Sequence, residues 1–287
     1  MSTKPVNSRS GNLWNRIPSM IRAVLLGLFV VIIGITLWTI DYTLIPGPWS
    51  LFIMMVILWA YVKYFSGSWL SQKTAAFRRT NFRHIKLSPK IWKWGLIAAV
   101  LFVVVFQASF VVTFRLIPFP EHVFKSQYKI LDSLPVWLGW STVLVSALVA
   151  GICEETGFRG YMQVPIEKRY GPVWAIIISS IFFFLLHLDK TWAPLIIIHI
   201  FLASALLGLL AYSSGSIIPG IIGHTIMDIF NFSYWWSDLA GNFERKTIFQ
   251  TGIDIHFIVW CLIFMITTSF FLFAVIKLQK IRVVSTE

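Results

Sequence analysis

Charge and cysteine are what this 287-residue chain has least of. Only 13% of its residues are Asp, Glu, Lys or Arg, about half the share of a soluble domain. So few charges exclude an ordinary water-exposed globular class. The two cysteines, Cys153 and Cys261, both fall in apolar stretches. They exclude a disulfide framework and a cysteine-rich metal site. No Ala-x-Ala-like site follows the first apolar run, so that run is read as a retained helix, not a removed signal peptide. HExxH is absent, and so are a glycine-rich phosphate loop and the inverted repeats of many secondary transporters. Acids are also scarce: 12 Asp and Glu face 24 Lys and Arg, for a net charge of +12.

What the chain has instead is apolar length. It is 57% hydrophobic and 16% aromatic. Runs long enough to span a bilayer satisfy their own backbone hydrogen bonds as helices. The expected fold is therefore all-α, a polytopic membrane helix bundle with about eight transmembrane helices. The expected spans are Ala23–Ile40, Trp49–Phe65, Trp94–Phe114, Val136–Cys153, Tyr170–Leu188, Pro194–Tyr212, Ile217 to about Asn231, and Ile255–Ile276. The expected division is a basic cytoplasmic tail at 1–19, one transmembrane domain at 20–278 with a motif-bearing core at about 136–232, and a C-terminal tail at 279–287.

With eight spans, 18 of the 24 Lys and Arg fall on the side of the termini and six on the other. That asymmetry predicts both termini in the cytoplasm, in the plasma membrane. The loop at 66–90 is the most basic. It reads as a cytoplasmic loop obeying the charge rule, not as a nucleic-acid surface, and no nucleic-acid partner is expected.

The stretch Cys153-Glu154-Glu155-Thr156-Gly157-Phe158-Arg159-Gly160 breaks the apolar pattern. A charge near the bilayer centre costs about 2.5–3.5 kcal/mol or more, so such residues are usually functional. On a helix Glu155 and Arg159 are i,i+4 neighbours in the favourable order. Glu154 points about 100° away. The pair therefore divides its work: Glu155 neutralises Arg159, and Glu154 is left for general acid–base chemistry. The bland alternative is a buried structural ion network. The helix is expected to continue to about Gln163, weakened by Gly157 and Gly160. Phe183 and His187 share a face, as do His224, Asp228 and Asn231. Gly220 and Gly223 beside them allow close helix approach. His199 is read as a packing histidine.

Glu154-Glu155-x-x-x-Arg159, Phe183-x-x-x-His187 and His224-x-x-x-Asp228, in that order, resemble the three motifs of the CAAX-processing and bacteriocin-processing (CPBP, or Abi) intramembrane endopeptidases. Phe158-Arg159-Gly160-Tyr161-Met162-Gln163 and Ser214-Gly215-Ser216-Ile217-Ile218-Pro219 resemble the surroundings of the first and third motifs. The resemblance covers roughly residues 140–232. It implies a glutamate-type intramembrane peptidase acting on a membrane-associated, sometimes lipidated, peptide or protein. It further implies that Glu154 and His187 activate water, that His224 donates to the oxyanion, and that Glu155 and Arg159 support them. Asp228 departs from the Asn of the prenyl-protein proteases. An ionised Asp cannot donate, so either Asp228 is protonated or it orients His224 while Asn231 supplies an amide; the second is preferred.

Three other readings stay open. Glu154, His187, His224 and Asp228 are a zinc-ligand set of the right composition for a zinc-dependent membrane hydrolase. The polar cluster could be structural in a non-enzymatic immunity or scaffold protein. Intramembrane Glu, His and Asp also suit a proton-coupled transporter. Span counting raises a difficulty for the peptidase: it leaves Glu154 and His187 about 24 Å apart along the bundle.

Overall fold

The computed structural model describes residues 13–45, 47–83, 87–119, 131–188, 194–236 and 244–284. Most of the basic tail, the centre of the 117–135 loop and Lys190 lie outside the described residues. Among the described residues every regular element is helical. The main elements are α1 (Ser19–Leu44), α2 (Pro48–Phe65), α3 (Gln72–Phe82), α4 (Pro89–Leu116) and α5 (Val136–Glu154). A π-helical segment (Glu155–Met162) follows, then α6 (Gln163–Tyr170), α7 (Pro172–Leu185), α8 (Pro194–Ser214), α9 (Ile218–Trp236) and α10 (Ile255–Val284).

Six of these stretches are long and apolar enough to cross a membrane: α1, α2, α4, the run from α5 through α6, α8, and α10. Helix α7 is apolar but has only 14 residues. The expected count of eight is thus not reproduced, although the all-helical membrane bundle is. Much of the apolar surface remains outward: Phe29 on α1, Phe52 on α2 and Phe270 on α10 are all more than half exposed. Such faces are stable against lipid tails, which are as apolar as the side chains they meet.

Three local differences from the sequence expectation matter. The basic loop holds a helix of its own, α3. Its Arg78 turns inward and donates to the Tyr64, Trp69, Leu70 and Ser71 carbonyls, which the end of α2 and the turn leave over. The fourth helix does not stop near Gln163 but reaches Tyr170. Helix α9 extends to Trp236, beyond the expected Asn231.

The second difference removes the height problem. Gly171, at φ +85°, turns α6 directly into α7. Glu154 lies 16 residues before Tyr170, and His187 lies 15 after Pro172. At a rise of about 1.5 Å per residue the two are about 24 and 22 Å from the same hairpin. Span counting separated them because it ended the fourth span at Cys153 and did not carry the helix on to Tyr170.

The π segment packs on α1. A Cβ on Gly157 would fall 2.6 Å from the Gly27 carbonyl, so only glycines permit this approach. Phe158, Met162 and Ile166 fill the space towards Val24 and Ala175. On the other side α4, α8 and α10 share a core around Phe102, Leu207, Leu210 and Phe271. The site lies between these two halves.

Candidate active site

Glu154 ends α5 and Glu155 opens the π segment, in which the helical ladder steps from i to i+5 and side chains are re-aimed, a frequent feature of functional sites. Glu155 and Arg159 are both fully buried, and their Oε1 and Nη1 atoms lie 3.1 Å apart. The other guanidinium end, Nη2, donates to the Ser204 carbonyl at 3.1 Å and to its Oγ at 3.0 Å. The Phe183 ring lies 4.8 Å from the same guanidinium, within cation–π range. Arg159 thus ties the π segment to α8 and α7.

Glu155 also reaches α9. Its Oε1 is 2.9 Å from His224 Nδ1. A carboxylate only accepts, so Nδ1 carries a proton. Gly220, one turn earlier, makes room: a Cβ there would come 2.9 Å from Glu155 Oε2. The other ring nitrogen, Nε2, lies 3.7 Å from Asp228 Oδ2 and 3.9 Å from Glu154 Oε2. Both are charge-pairing distances, too long for direct hydrogen bonds.

His187 follows the end of α7. Its Nδ1 is 2.8 Å from the Phe183 carbonyl, one of the acceptors that a helix end leaves unpaired. A carbonyl cannot donate, so His187 carries its proton on Nδ1 and keeps a lone pair on Nε2 when neutral. The Phe183 ring stacks on it at 4.6 Å and 21°. The i,i+4 spacing of this pair therefore sets both tautomer and ring plane.

These groups meet in a cavity of about 170 Å³. Glu154, His187, His199, His224, Asp228 and Asn231 supply its polar lining, with Phe183 beside them. Glu154 Oε2 is buried and has no hydrogen-bond partner among the described residues. The opposite wall comes from α4 and α8 and is mostly apolar, with Phe106, Phe110 and Phe114 beside His199. Glu155 and Arg159 stand behind the lining, where the sequence reading put its supporting pair. Among the described residues no group of three or more His, Cys, Asp or Glu is arranged to hold a metal ion.

Sequence reasoning missed two features. The bond from Glu155 to His224 joins residues 69 positions apart, and no local pattern announces it. The aromatic wall could have been found, because Phe106, Phe110 and Phe114 repeat every fourth residue on α4. Gly223, expected to act alongside Gly220, instead lets α9 approach Phe102 and Ala99 of α4.

Residues 135–230 match a family model described as Type II CAAX prenyl endopeptidase Rce1-like. No curated protein and no solved structure matches the chain. The matched range begins at the start of α5 and ends on the polar stripe of α9, so it takes in all three motifs and five of the helices that build the cavity or its support. Over that range the chain is similar to the Rce1-like type II CAAX prenyl endopeptidases, and the resemblance drawn from its motifs is borne out.

Proposed function

We propose that this integral membrane protein is an endopeptidase of the glutamate type, hydrolysing a peptide bond of a membrane-associated and lipidated protein or peptide. The observation that carries the reading is convergence. Glu154 on α5, His187 just past the end of α7 and His224 on α9 line one cavity, while the second acid, Glu155, is taken up by Arg159 and His224. The family match supports the peptidase class.

In this mechanism a water lies between Glu154 and His187, which both line the cavity. Its oxygen attacks the scissile carbonyl carbon as its proton passes to the Glu154 carboxylate, a general-base step. The carbonyl becomes tetrahedral and its oxygen gains negative charge. His224 donates to that oxygen from Nε2, with Nδ1–H held by Glu155. An imidazolium, with a proton for each nitrogen, suits a ring that faces carboxylates at both. The 3.7 and 3.9 Å gaps at Nε2 leave its proton available to an incoming oxyanion. Asp228 holds the ring electrostatically, and Asn231 supplies an amide donor. Collapse of the intermediate passes the proton from Glu154 to the leaving amine and frees a carboxylate and an amine. The steps use this chain's own groups and no metal.

The proposed setting is the plasma membrane with both termini in the cytoplasm, on the distribution of Lys and Arg. Partners are the bilayer and the peptide substrate, not nucleic acid. The test is purified protein in detergent against a peptide library that includes prenylated C-termini, comparing wild type with Glu154→Ala. Cleavage by wild type alone supports the reading. Cleavage by neither, or equally by both, sinks it; a Glu154→Ala strain with intact cellular function would point to a scaffold.

A further inference from the structure

His199 belongs to none of the three motifs, yet it lines the same cavity as Glu154, His187 and His224. Among the described residues it is the one polar side chain on the wall that α4 and α8 build. Its neighbours fix its chemical state. The Ser109 hydroxyl donates its single proton to the Phe106 carbonyl at 2.8 Å, a back-bond within α4. Ser109 Oγ therefore meets His199 Nδ1, 2.9 Å away, only as an acceptor. Nδ1 must carry the proton, and in the neutral ring Nε2 keeps its lone pair. That Nε2 is buried and has no hydrogen-bond partner among the described residues. Phe106 and Phe110 pack against the ring at 4.4 and 5.9 Å, so it cannot turn freely to find one.

A buried acceptor without a donor is costly, and this one stands where a substrate would lie. A peptide entering an apolar site brings the complementary problem, backbone N–H groups that lose water and need acceptors. The other polar groups of the lining, Glu154, His187, His224, Asp228 and Asn231, come from α5, the end of α7 and α9. We infer that His199 Nε2 accepts a hydrogen bond from a backbone N–H of the bound peptide and anchors the chain against the α4–α8 wall, across from the reacting groups. His199 is then a substrate-binding residue, with Ser109 as the positioning residue that locks its tautomer. The inference rests on the peptidase reading of the cavity.

The probe is a fluorescent peptide with a farnesylated cysteine four residues from its C-terminus, together with a series in which each backbone amide in turn is replaced by an ester. His199→Asn keeps an amide near Nδ1 that can donate to Ser109 but lacks the outer acceptor. His199→Gln carries an acceptor near the Nε2 position. The expected result is a KM about tenfold higher for His199→Asn, the size of one hydrogen bond, with kcat little changed, as for loss of uniform binding. His199→Gln should recover part of that loss. One ester position should raise KM about tenfold in wild type and not in His199→Asn. An unchanged KM in His199→Asn, or ester penalties equal in the two proteins, overturns the inference. Binding of the same peptides to Glu154→Gln separates the two readings. Binding that depends on His199, without cleavage by wild type, removes the peptidase and leaves the anchor; cleavage without His199 dependence does the reverse. A peptide neither bound nor cleaved overturns both.

Discussion

His224 Nδ1 and Glu155 Oε1 lie 2.9 Å apart, and the same oxygen is 3.1 Å from Arg159 Nη1. One buried carboxylate thus joins the imidazole of α9 to the guanidinium of the π segment. The cavity end of His224 is aimed by an acid that does not itself line the cavity. The adjacent acid, Glu154, is left facing the space where chemistry would occur. Two neighbours in sequence therefore make opposite demands on a substitution.

Glu155→Gln should damage the fold as well as the site. Removing one partner of a buried charge pair costs roughly 3–5 kcal/mol, because the other charge stays behind. Thermal unfolding in detergent should show a clearly lowered midpoint, together with reduced turnover. An unchanged midpoint would mean that Arg159 is neutralised by another group.

Glu154→Gln should do the reverse. Its Oε2 has no hydrogen-bond partner to lose, so the unfolding midpoint should hold. Turnover should fall by about 100- to 10,000-fold, the range of a general acid–base group. Turnover within a few-fold of wild type would remove Glu154 from the mechanism.

Asp228→Asn should retain much of the activity. At 3.7 Å from His224 Nε2 the Asp acts through charge, and an amide in its place can donate to the oxyanion. An inactive Asp228→Asn, with Asp228 shown to be ionised at the working pH, would instead make its charge on His224 essential or implicate a metal.

Chelation should leave turnover unchanged. Among the described residues no three ligands converge on a metal position. Activity lost in chelator and restored by zinc would replace the glutamate mechanism with a metal one.

At the far end of α4, fully buried Arg115 donates to Asp254 at 2.6 Å and to Thr251 at 2.8 Å, closing the turn before α10 onto α4. The backbone N–H of Phe257, and then Arg115, hold the Asp254 carboxyl down at about 2. A carboxyl whose folded value is depressed stabilises the fold above its ordinary value, near 3.8, and loses that contribution as pH falls towards 2. Unfolding midpoints of wild type should therefore drop between about pH 4 and 2 by more than those of Asp254→Asn. Parallel profiles would show that the pair contributes nothing to stability.

The bundle was legible because hydropathy acts one residue at a time. An 18-residue apolar run such as Ala23–Ile40 declares a helix whatever surrounds it. The motifs were legible for a related reason: i,i+4 spacing is a property of one helix, so Glu155 with Arg159 and Phe183 with His187 could be paired on paper. The extent of the fourth helix was not legible. Gly157, Gly160, Pro165 and the charges between them look like a loop, yet burial against Gly27 and Asn81 carries the helix through to Tyr170.

By itself, then, the sequence determined a helical membrane protein and its short-range polar pairs. Only the tertiary structure decided that Glu154 and His187 stand at one height, that Glu155 rather than Asp228 holds His224 Nδ1, and that His199 joins them. Those relations depend on where helices turn and which faces meet, and they bring together residues 33, 69 and 45 positions apart. Close packing sets such contacts through the sum of many weak ones, which no local stretch of sequence contains.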